Sequence, residues 1–375
     1  MKALILSQNY ENYTGGYYHQ DWVDALKRRL ECDIYGPAYD NYEKSDDIFS
    51  VAERFNKNIE EYDLIIIGSS WDKPGQKSGD GDIDIHPAIN LAHVHSPVKI
   101  YFLNKEYINL EAKLEYAMHN NVDYIVSVLG PTRTREWESK TGIAFIHLPF
   151  AVALNRVVLD NATKKYDFAF TGALHMSYSD SRRLVKAEIF KKDSSFLMSI
   201  IRFAAKRVFP TKNWEFLNNR SCLPSNVGIS RVLSMSCPVK REWQGLDVYW
   251  AERGLISKSL MLKSLLPFGD DYFKFLASSK TFLSTLSAEN ILGPRFYELM
   301  ASHCIIICPR DDYGGLLRDK VNCLMYDKPS DVLNLVKSVV TDEDLFKYIS
   351  DNAYNAVLTH TYDARIDYLM AKIVK

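Results

Sequence analysis

The sequence predicts an α/β protein built from two Rossmann-like halves. Three observations support that class. A strand, a Gly-containing loop and a helix open the chain (Ala3–Ser7, Gln8–Gly16 and a helix through Leu30), and the same order recurs from Tyr166 to a helix at Ser181. The segments Leu64–Ile67 and Cys304–Cys308 are near-continuous apolar runs, as expected of parallel strands covered on both faces. The length, 375 residues, exceeds what one hydrophobic core usually organises, so two domains are expected.

The bulk numbers narrow the class. Hydrophobic residues make up 47% and charged residues 25%, an ordinary balance for a soluble globular protein. Lys and Arg number 46 against 47 Asp and Glu, a net charge of −1, which argues against a protein dominated by nonspecific nucleic-acid binding. Tyr (23) and Phe (18) are abundant, which suits carbohydrate-handling proteins and aromatic cores equally. None of the six cysteines forms a CxxC pair or joins a His cluster, so neither a zinc site nor a disulfide framework is expected and a reducing compartment is. The start, Met1 to Ser7, reads as a short strand and lacks the length of a secretory signal. No run of 18 uncharged apolar residues occurs. A soluble cytoplasmic protein is the expectation.

In chain order, Ala3–Ser7 is the first strand and Cys32–Tyr35 the second, with the Gly15–Gly16 loop and a helix between them. A helix is expected over 51–62, then the strand ending at Gly68. The polar stretch 69–82 follows a strand's carboxyl end, where open α/β sheets bind ligands, and its Gly, Asp and Ser content suits a mobile loop. Its Asp spacing completes no EF-hand, and no metal site is expected. Strands at 98–103 and 122–127 flank a helix at 111–120, and 143–149 closes the first half. In the second half, Tyr166–Gly172 is a strand followed by a polar loop. Nine Lys/Arg in 182–212, with apolar residues interleaved over 196–209, describe a basic amphipathic helix. It reads as a solvated helix packed on its own domain, or as a contact for a membrane surface or another polyanion. Residues 210–250 have no clear assignment. Helix 271–280, strand 281–284, strands at 304–308 and 321–326, and terminal helices at 330–340 (Ser330 as N-cap), 342–355 and 363–375 complete the chain. The domains are 1–152, 153–358 and a returning helix, 359–375.

Gly293-Pro294 breaks the chain and opens a helix, since Pro is tolerated where the first helical N–H lacks a partner. Arg295 and Glu298, three apart, share a face near its N-terminus. Free N–H groups and an Arg suit a phosphate, and a carboxylate one turn on suits a sugar diol. The alternative is a surface ion pair on an ordinary αβ unit.

Gly293-Pro-Arg-Phe-Tyr-Glu-Leu-Met-Ala-Ser302, Leu316-Leu-Arg-Asp-Lys-Val-Asn-Cys-Leu-Met-Tyr326 and His360-Thr-Tyr-Asp-Ala-Arg365 resemble the C-terminal half of GT-B glycosyltransferases. The flavour is that of the group related to the spore-maturation protein CgeB. Leu148–Ala151 and Lys165–Gly172 resemble that group's domain junction. The resemblance spans roughly 145–375, and a fainter one is to phage β-glucosyltransferases acting on hydroxymethylated DNA. It implies two domains facing across a cleft and a metal-independent transferase with no cofactor beyond its nucleotide-sugar substrate. It places the donor at Gly172, His175, Arg182 (or Arg183), Gly293, Arg295, Glu298 and the Gly314-Gly315 loop, with the two arginines on the pyrophosphate and Glu298 on the ribose. Glu289 and Glu298 stand nine apart, where the paired-glutamate motif of retaining enzymes has eight, so stereochemistry stays open.

An inverting enzyme also needs a base for the acceptor hydroxyl. His19 and Asp21, just past the Gly15-Gly16 acceptor-side loop, are candidates, and Asp72 is a rival; helix capping or surface work is the alternative for each. The expected activity is glycosyl transfer to a glycan or lipid-linked acceptor in cell-surface polysaccharide synthesis, peripheral to the inner membrane face through 196–209. The alternatives are a DNA glycosyltransferase, with the basic helix on phosphate, and a GT-B-shaped binding or coat protein without turnover.

Overall fold

The structure, a computed structural model, describes residues 1–11, 17–68, 89–103, 106, 109–157, 164–174, 185, 231–238, 247–252, 270–287 and 290–373. Gly15, Gly16, Asp72, His175, Arg182 and the basic stretch 196–209 lie outside the described residues. The chain divides into two compact units: Met1–Ala151 with Ser287–Pro294 and His360–Lys375, and Val152–Leu286 with Arg295–Thr359. Segment 287–294, read from the sequence as part of the second half, belongs to the first unit.

The first unit is a six-stranded parallel sheet of β1 (Lys2–Leu6), β2 (Glu31–Tyr35), β3 (Leu64–Ile67), β4 (Val98–Phe102), β5 (Tyr124–Ser127) and β6 (Ala144–His147). Their spatial order is β2-β1-β3-β4-β5-β6. Ala3–Leu6 and all of β3 are buried, which is why their sequences show no polar alternation. The chain leaves β1 on one side for β2 and then crosses to the other for β3. The switch point therefore falls between β1 and β3, and ligands of such sheets bind outside the carboxyl ends there.

Helix α1 (Tyr17–Arg29) ends in Lys27, Arg28 and Arg29, which suit the negative end of its dipole. The single helix expected over 51–62 is instead α2 (Ile48–Glu53) and a 3-10 turn, Ile59–Glu61. Asp47 caps α2 by accepting from the Ser50 N–H at 2.8 Å. Asn56, at φ 54°, and the Asn58 capping box interrupt the run. Helix α3 (Leu110–His119) follows β4, and α4 (Pro131–Thr141) follows β5. The sequence reading missed α4, although Pro131 at its first position and Gly142 at φ 71° just past its end are helix start and stop signals.

The second unit holds β7 (Tyr166–Leu174), β8 (Arg231–Pro238), β9 (Asp247–Glu252), β10 (Ser279–Leu283), β11 (Ile305–Pro309) and β12 (Leu324–Tyr326), in the order β12-β11-β10-β7-β8-β9. All pairs are parallel except β8–β9. The unassigned 210–250 region thus supplies one parallel strand and part of an antiparallel edge. Counted from β9, this is the 3-2-1-4-5-6 order of dinucleotide-binding sheets, with its switch point between β7 and β10. Its helices with bounds among the described residues include α5 (Asp270–Ala277), α6 (Pro294–Ala301), α7 (Val332–Val340) and α8 (Glu343–Val357). Ser330 is not the N-cap of α7. It sits in a 3-10 turn, Pro329–Asp331, that precedes the helix.

Each unit contains a lysine turned inward onto backbone carbonyls. In the first, Lys99 Nζ donates to the carbonyls of Leu91, Val94 and Asn120 at 3.3, 2.9 and 2.8 Å. In the second, Lys164 Nζ donates to those of Ser279, Ser302 and His303 at 3.1, 3.2 and 2.9 Å. Burial lowers both pKa values. Three carbonyls match the three donors of an ammonium group, so each lysine pins irregular chain to a strand or helix end.

Helix α9 (Tyr362–Ile373) belongs to the first unit. It packs on α1 through Trp22 and Tyr362, edge to face at 4.8 Å between ring centroids. Two exposed ion pairs, Arg28–Asp363 and Arg29–Asp367, both at 2.7 Å, flank that contact. Among the described residues no helix is long and apolar enough to cross a membrane.

Candidate functional site

A pocket of about 240 Å³ lies in the first unit, at the carboxyl edge of its sheet. Ser7 and Gly68, the residues that follow β1 and β3, stand at its switch point. There a Cβ on Gly68 would lie 2.8 Å from Ser7 Oγ and 2.9 Å from Leu6 O, so only glycine lets the two chain segments pass. Helix α1 supplies one face, with Tyr18, His19, Trp22, Val23 and Leu26. Ser287, Ile291, Gly293 and Pro294 close another side. Ser287 donates from its backbone N–H at 3.0 Å and its hydroxyl at 3.1 Å to Ile291 O, which folds this segment into a tight wall.

Most of the lining is apolar, and one carboxylate interrupts it. Glu106 follows β4 and is 3% exposed. Its Oε1 accepts from Ser127 Oγ at 2.9 Å and from the Val128 N–H at 3.1 Å, both at the carboxyl end of β5. Its Oε2 is buried without a hydrogen-bond partner among the described residues. Gln8, just beyond the end of β1, is wholly buried, and neither atom of its amide has a partner among the described residues. An unmet buried acceptor costs about 1–3 kcal/mol, and folds keep few of them without a use.

His19 lines this pocket and is buried between the rings of Tyr10 and Tyr18, at centroid distances of 4.8 and 4.2 Å. Asp21 is also buried, but it does not line the pocket. At about 100° per residue it falls to one side of the helix face that carries Tyr18, Trp22 and Leu26. The two neighbouring candidates therefore separate: His19 lines the pocket and Asp21 does not. The His360–Arg365 tail does structural work, with Arg365 donating to the Pro149 and Phe150 carbonyls at 3.1 and 3.4 Å and pairing with His360 Nδ1 at 2.8 Å.

In the second unit, α6 follows the switch-point strand β10 and carries Arg295 in its first turn. Glu298 is 3% exposed, and its Oε2 accepts from Tyr272 Oη at 2.9 Å. The Arg295 charge also acts on the Tyr272 hydroxyl, whose pKa is raised first by burial and then by the Glu298 charge, with Arg295 opposing the rise. Instead of a surface ion pair, Arg295 and Glu298 share a buried phenol. Gly314 and Gly315 take φ of 61° and 77°, the left-handed conformation expected of a glycine loop. The Gly314 N–H is donated to Asp312 Oδ1 at 2.9 Å, which orients the loop from within. Gly172 lies inside β7 opposite Ser236, because that strand runs two residues further than the sequence suggested. Among the described residues no group of three or more His, Cys, Asp or Glu is arranged to hold a metal.

Residues 250–371 match the family model described as glycosyl transferase-like. No curated protein matches the chain in sequence. Among solved structures, Alr3699/HepE of Anabaena in complex with UDP and glucose aligns over 100% of both chains, with 11% identity and a TM-score of 0.56. Sucrose-phosphate synthase from Thermosynechococcus elongatus aligns over 100% of this chain and 99% of its own, with 10% identity and a TM-score of 0.54. A glycosyltransferase from Rickettsia africae aligns over 99% and 97%, with 9% identity and a TM-score of 0.51. The fold is GT-B.

The family match takes in Gly293–Ser302, Leu316–Tyr326 and His360–Arg365, the three segments in which the sequence resembles the C-terminal half of GT-B glycosyltransferases. Glu106 and Gln8 were not found by sequence reading. The available signal was position: Glu106 comes four residues after the apolar run of β4 ends, where a carboxylate on a parallel sheet faces the ligand edge.

Proposed function

We propose that this protein transfers a glycosyl group from a nucleoside diphosphate-sugar to a hydroxyl acceptor in the synthesis of a cell-surface polysaccharide or similar glycan. The observation that carries the reading is Arg295 at the start of α6, the helix that follows the switch-point strand, inside the glycosyl transferase-like region. Transfer requires that the departing diphosphate be stabilised as its negative charge grows. A guanidinium and the N–H groups of a helix start supply that stabilisation. Glu298, oriented by Tyr272, is the proposed partner of the ribose hydroxyls. Gly172, His175, Arg182, Gly293 and the Gly314–Gly315 loop complete the proposed donor set. HepE structures hold UDP, UDP with glucose, and UDP-glucose, which supports a UDP-sugar as donor. The proposed acceptor is a glycan or lipid-linked molecule with one part seated in the first-unit pocket, and His19 is the proposed base for its hydroxyl. The setting is cytoplasmic, at the membrane's inner face.

The test is release of UDP from UDP-sugars in the presence of a panel of glycan and lipid-linked acceptors. Arg295→Ala is expected to lower kcat/KM on the order of a hundredfold, the scale of losing one charge-stabilising donor. Activity is expected to persist in EDTA, since the proposed donor site stabilises the diphosphate without a cation. Loss on chelation with recovery in Mg²⁺ would refute that part, and full activity in Arg295→Ala would refute the donor assignment.

A further inference from the structure

The first-unit pocket has a chemical character beyond that of an acceptor seat. Its inner wall is built from side chains of the sheet and α1, among them Ile5, Trp22, Leu26, Ile66, Phe102 and Val126. A sugar ring, with hydroxyls around its whole perimeter, would leave several of them unpaired against such a wall. A ring-sized apolar group would not, and a cavity of roughly 150 Å³ lined by such residues is already enough to bind benzene. Among the polar lining groups Ser7 and Glu106 lie just past strand ends, and Glu106 stands out because one of its oxygens is committed and the other is not. Oε1 holds two donors, which fixes the carboxylate plane and leaves Oε2 a buried acceptor with no partner among the described residues. A carboxylate in that state asks for a donor, and one hydroxyl satisfies it.

We infer that this pocket binds a ligand with an apolar body about the size of one ring that carries a hydroxyl, and that Glu106 Oε2 accepts the hydrogen bond from that hydroxyl. On the transferase reading the ligand is the acceptor, or the part of it next to the sugar-bearing end, and Glu106 selects it by the pairing of apolar body and hydroxyl. Glu106 acts here as a binding residue, distinct from His19, which lines the same pocket.

Ligand-detected NMR titration of the full chain with benzyl alcohol, toluene and benzyl methyl ether tests this without any donor or transfer. Benzyl alcohol is expected to bind about tenfold more tightly than toluene, the scale of a hydrogen bond to a charged acceptor. The ether keeps the oxygen but cannot donate, so it is expected to bind no better than toluene. In Glu106→Gln the amide oxygen keeps the Ser127 and Val128 donors and an NH2, which donates to either oxygen, replaces Oε2. The advantage of the alcohol over the ether is therefore expected to vanish while toluene affinity is retained. Equal affinities for alcohol and toluene in the wild type would overturn the inference, as would binding of none of the three or an undiminished advantage over the ether in Glu106→Gln. The ether comparison stands even if that variant does not fold. Because the readout is binding alone, failure here would leave the transferase reading intact, and a chain without transfer activity could still pass.

Discussion

At the scale of single residues, the first-unit pocket depends on one position where a side chain cannot be accommodated. Gly68 lies so close to Ser7 and Leu6 that a methyl group must displace backbone, and its N–H donates to Leu6 O at 2.7 Å. Gly68→Ala is expected to destabilise the protein by about 1–3 kcal/mol, the scale of overpacking, and to weaken binding of benzyl alcohol in the pocket. Urea unfolding and the same NMR titration check both parts, and an unchanged midpoint would contradict the packing account. Residue-scale legibility was uneven for a physical reason. Arg295 and Glu298 could be read because they sit at helical spacing behind a Gly-Pro break. Glu106 could not, because its meaning comes from Ser127 and Val128, about twenty residues away and joined to it only by the pairing of β4 with β5.

At the scale of elements, α9 shows how a C-terminal segment secures the unit it returns to. Tyr362 is 1% exposed and packs on Trp22, which itself lines the pocket. Tyr362→Ala is expected to cost about 3–5 kcal/mol, the range for emptying a buried aromatic site, and a loss below 1 kcal/mol would show that α9 is not needed there. Two histidines at element boundaries give the molecule an acid limit. His303 links α6 to β11, and His360 immediately precedes Thr361 and α9. Burial is the main cause that lowers both from the ordinary 6.5; for His303 Asp351 opposes the shift and Lys164 adds to it, and for His360 Arg365 adds to it. With folded-state values below the unfolded one, the unfolded chain takes up protons first as pH falls. Their contribution is therefore complete above about pH 6.5 and is lost as pH drops through the folded-state values. Urea midpoints measured from pH 7.5 down to pH 5 are expected to decrease, and less so in His360→Gln. A midpoint that is flat or rises on acidification would contradict this. The sequence made most strands visible through their apolar runs, but α4 was hidden because its residues are nearly all polar or charged and only Thr134 is buried. The split of 51–62 was hidden because a left-handed Asn leaves no hydrophobic pattern.

At the scale of the whole molecule, one parallel and one mostly parallel sheet, with different strand orders, each place a switch point beside a distinctive chemical group. In the first unit it is a carboxylate in an apolar pocket, and in the second an Arg-bearing helix start. The two-sheet organisation was legible because strand–loop–helix openings recur in both halves. The return of 287–294 to the first unit was not, since eight residues carry too little pattern to show which core they join. The central claim, a nucleoside diphosphate-sugar donor held by Arg295, is tested most directly by thermal-shift measurements with UDP, GDP, CMP and dTDP and their sugars. At about 100 times the dissociation constant a bound ligand adds about 2.7 kcal/mol to stability, enough to raise Tm by a few degrees. At least one nucleotide, with UDP foremost, is expected to raise Tm in the wild type and to lose that effect in Arg295→Ala. No shift with any of them, or an equal shift in the variant, would contradict the account.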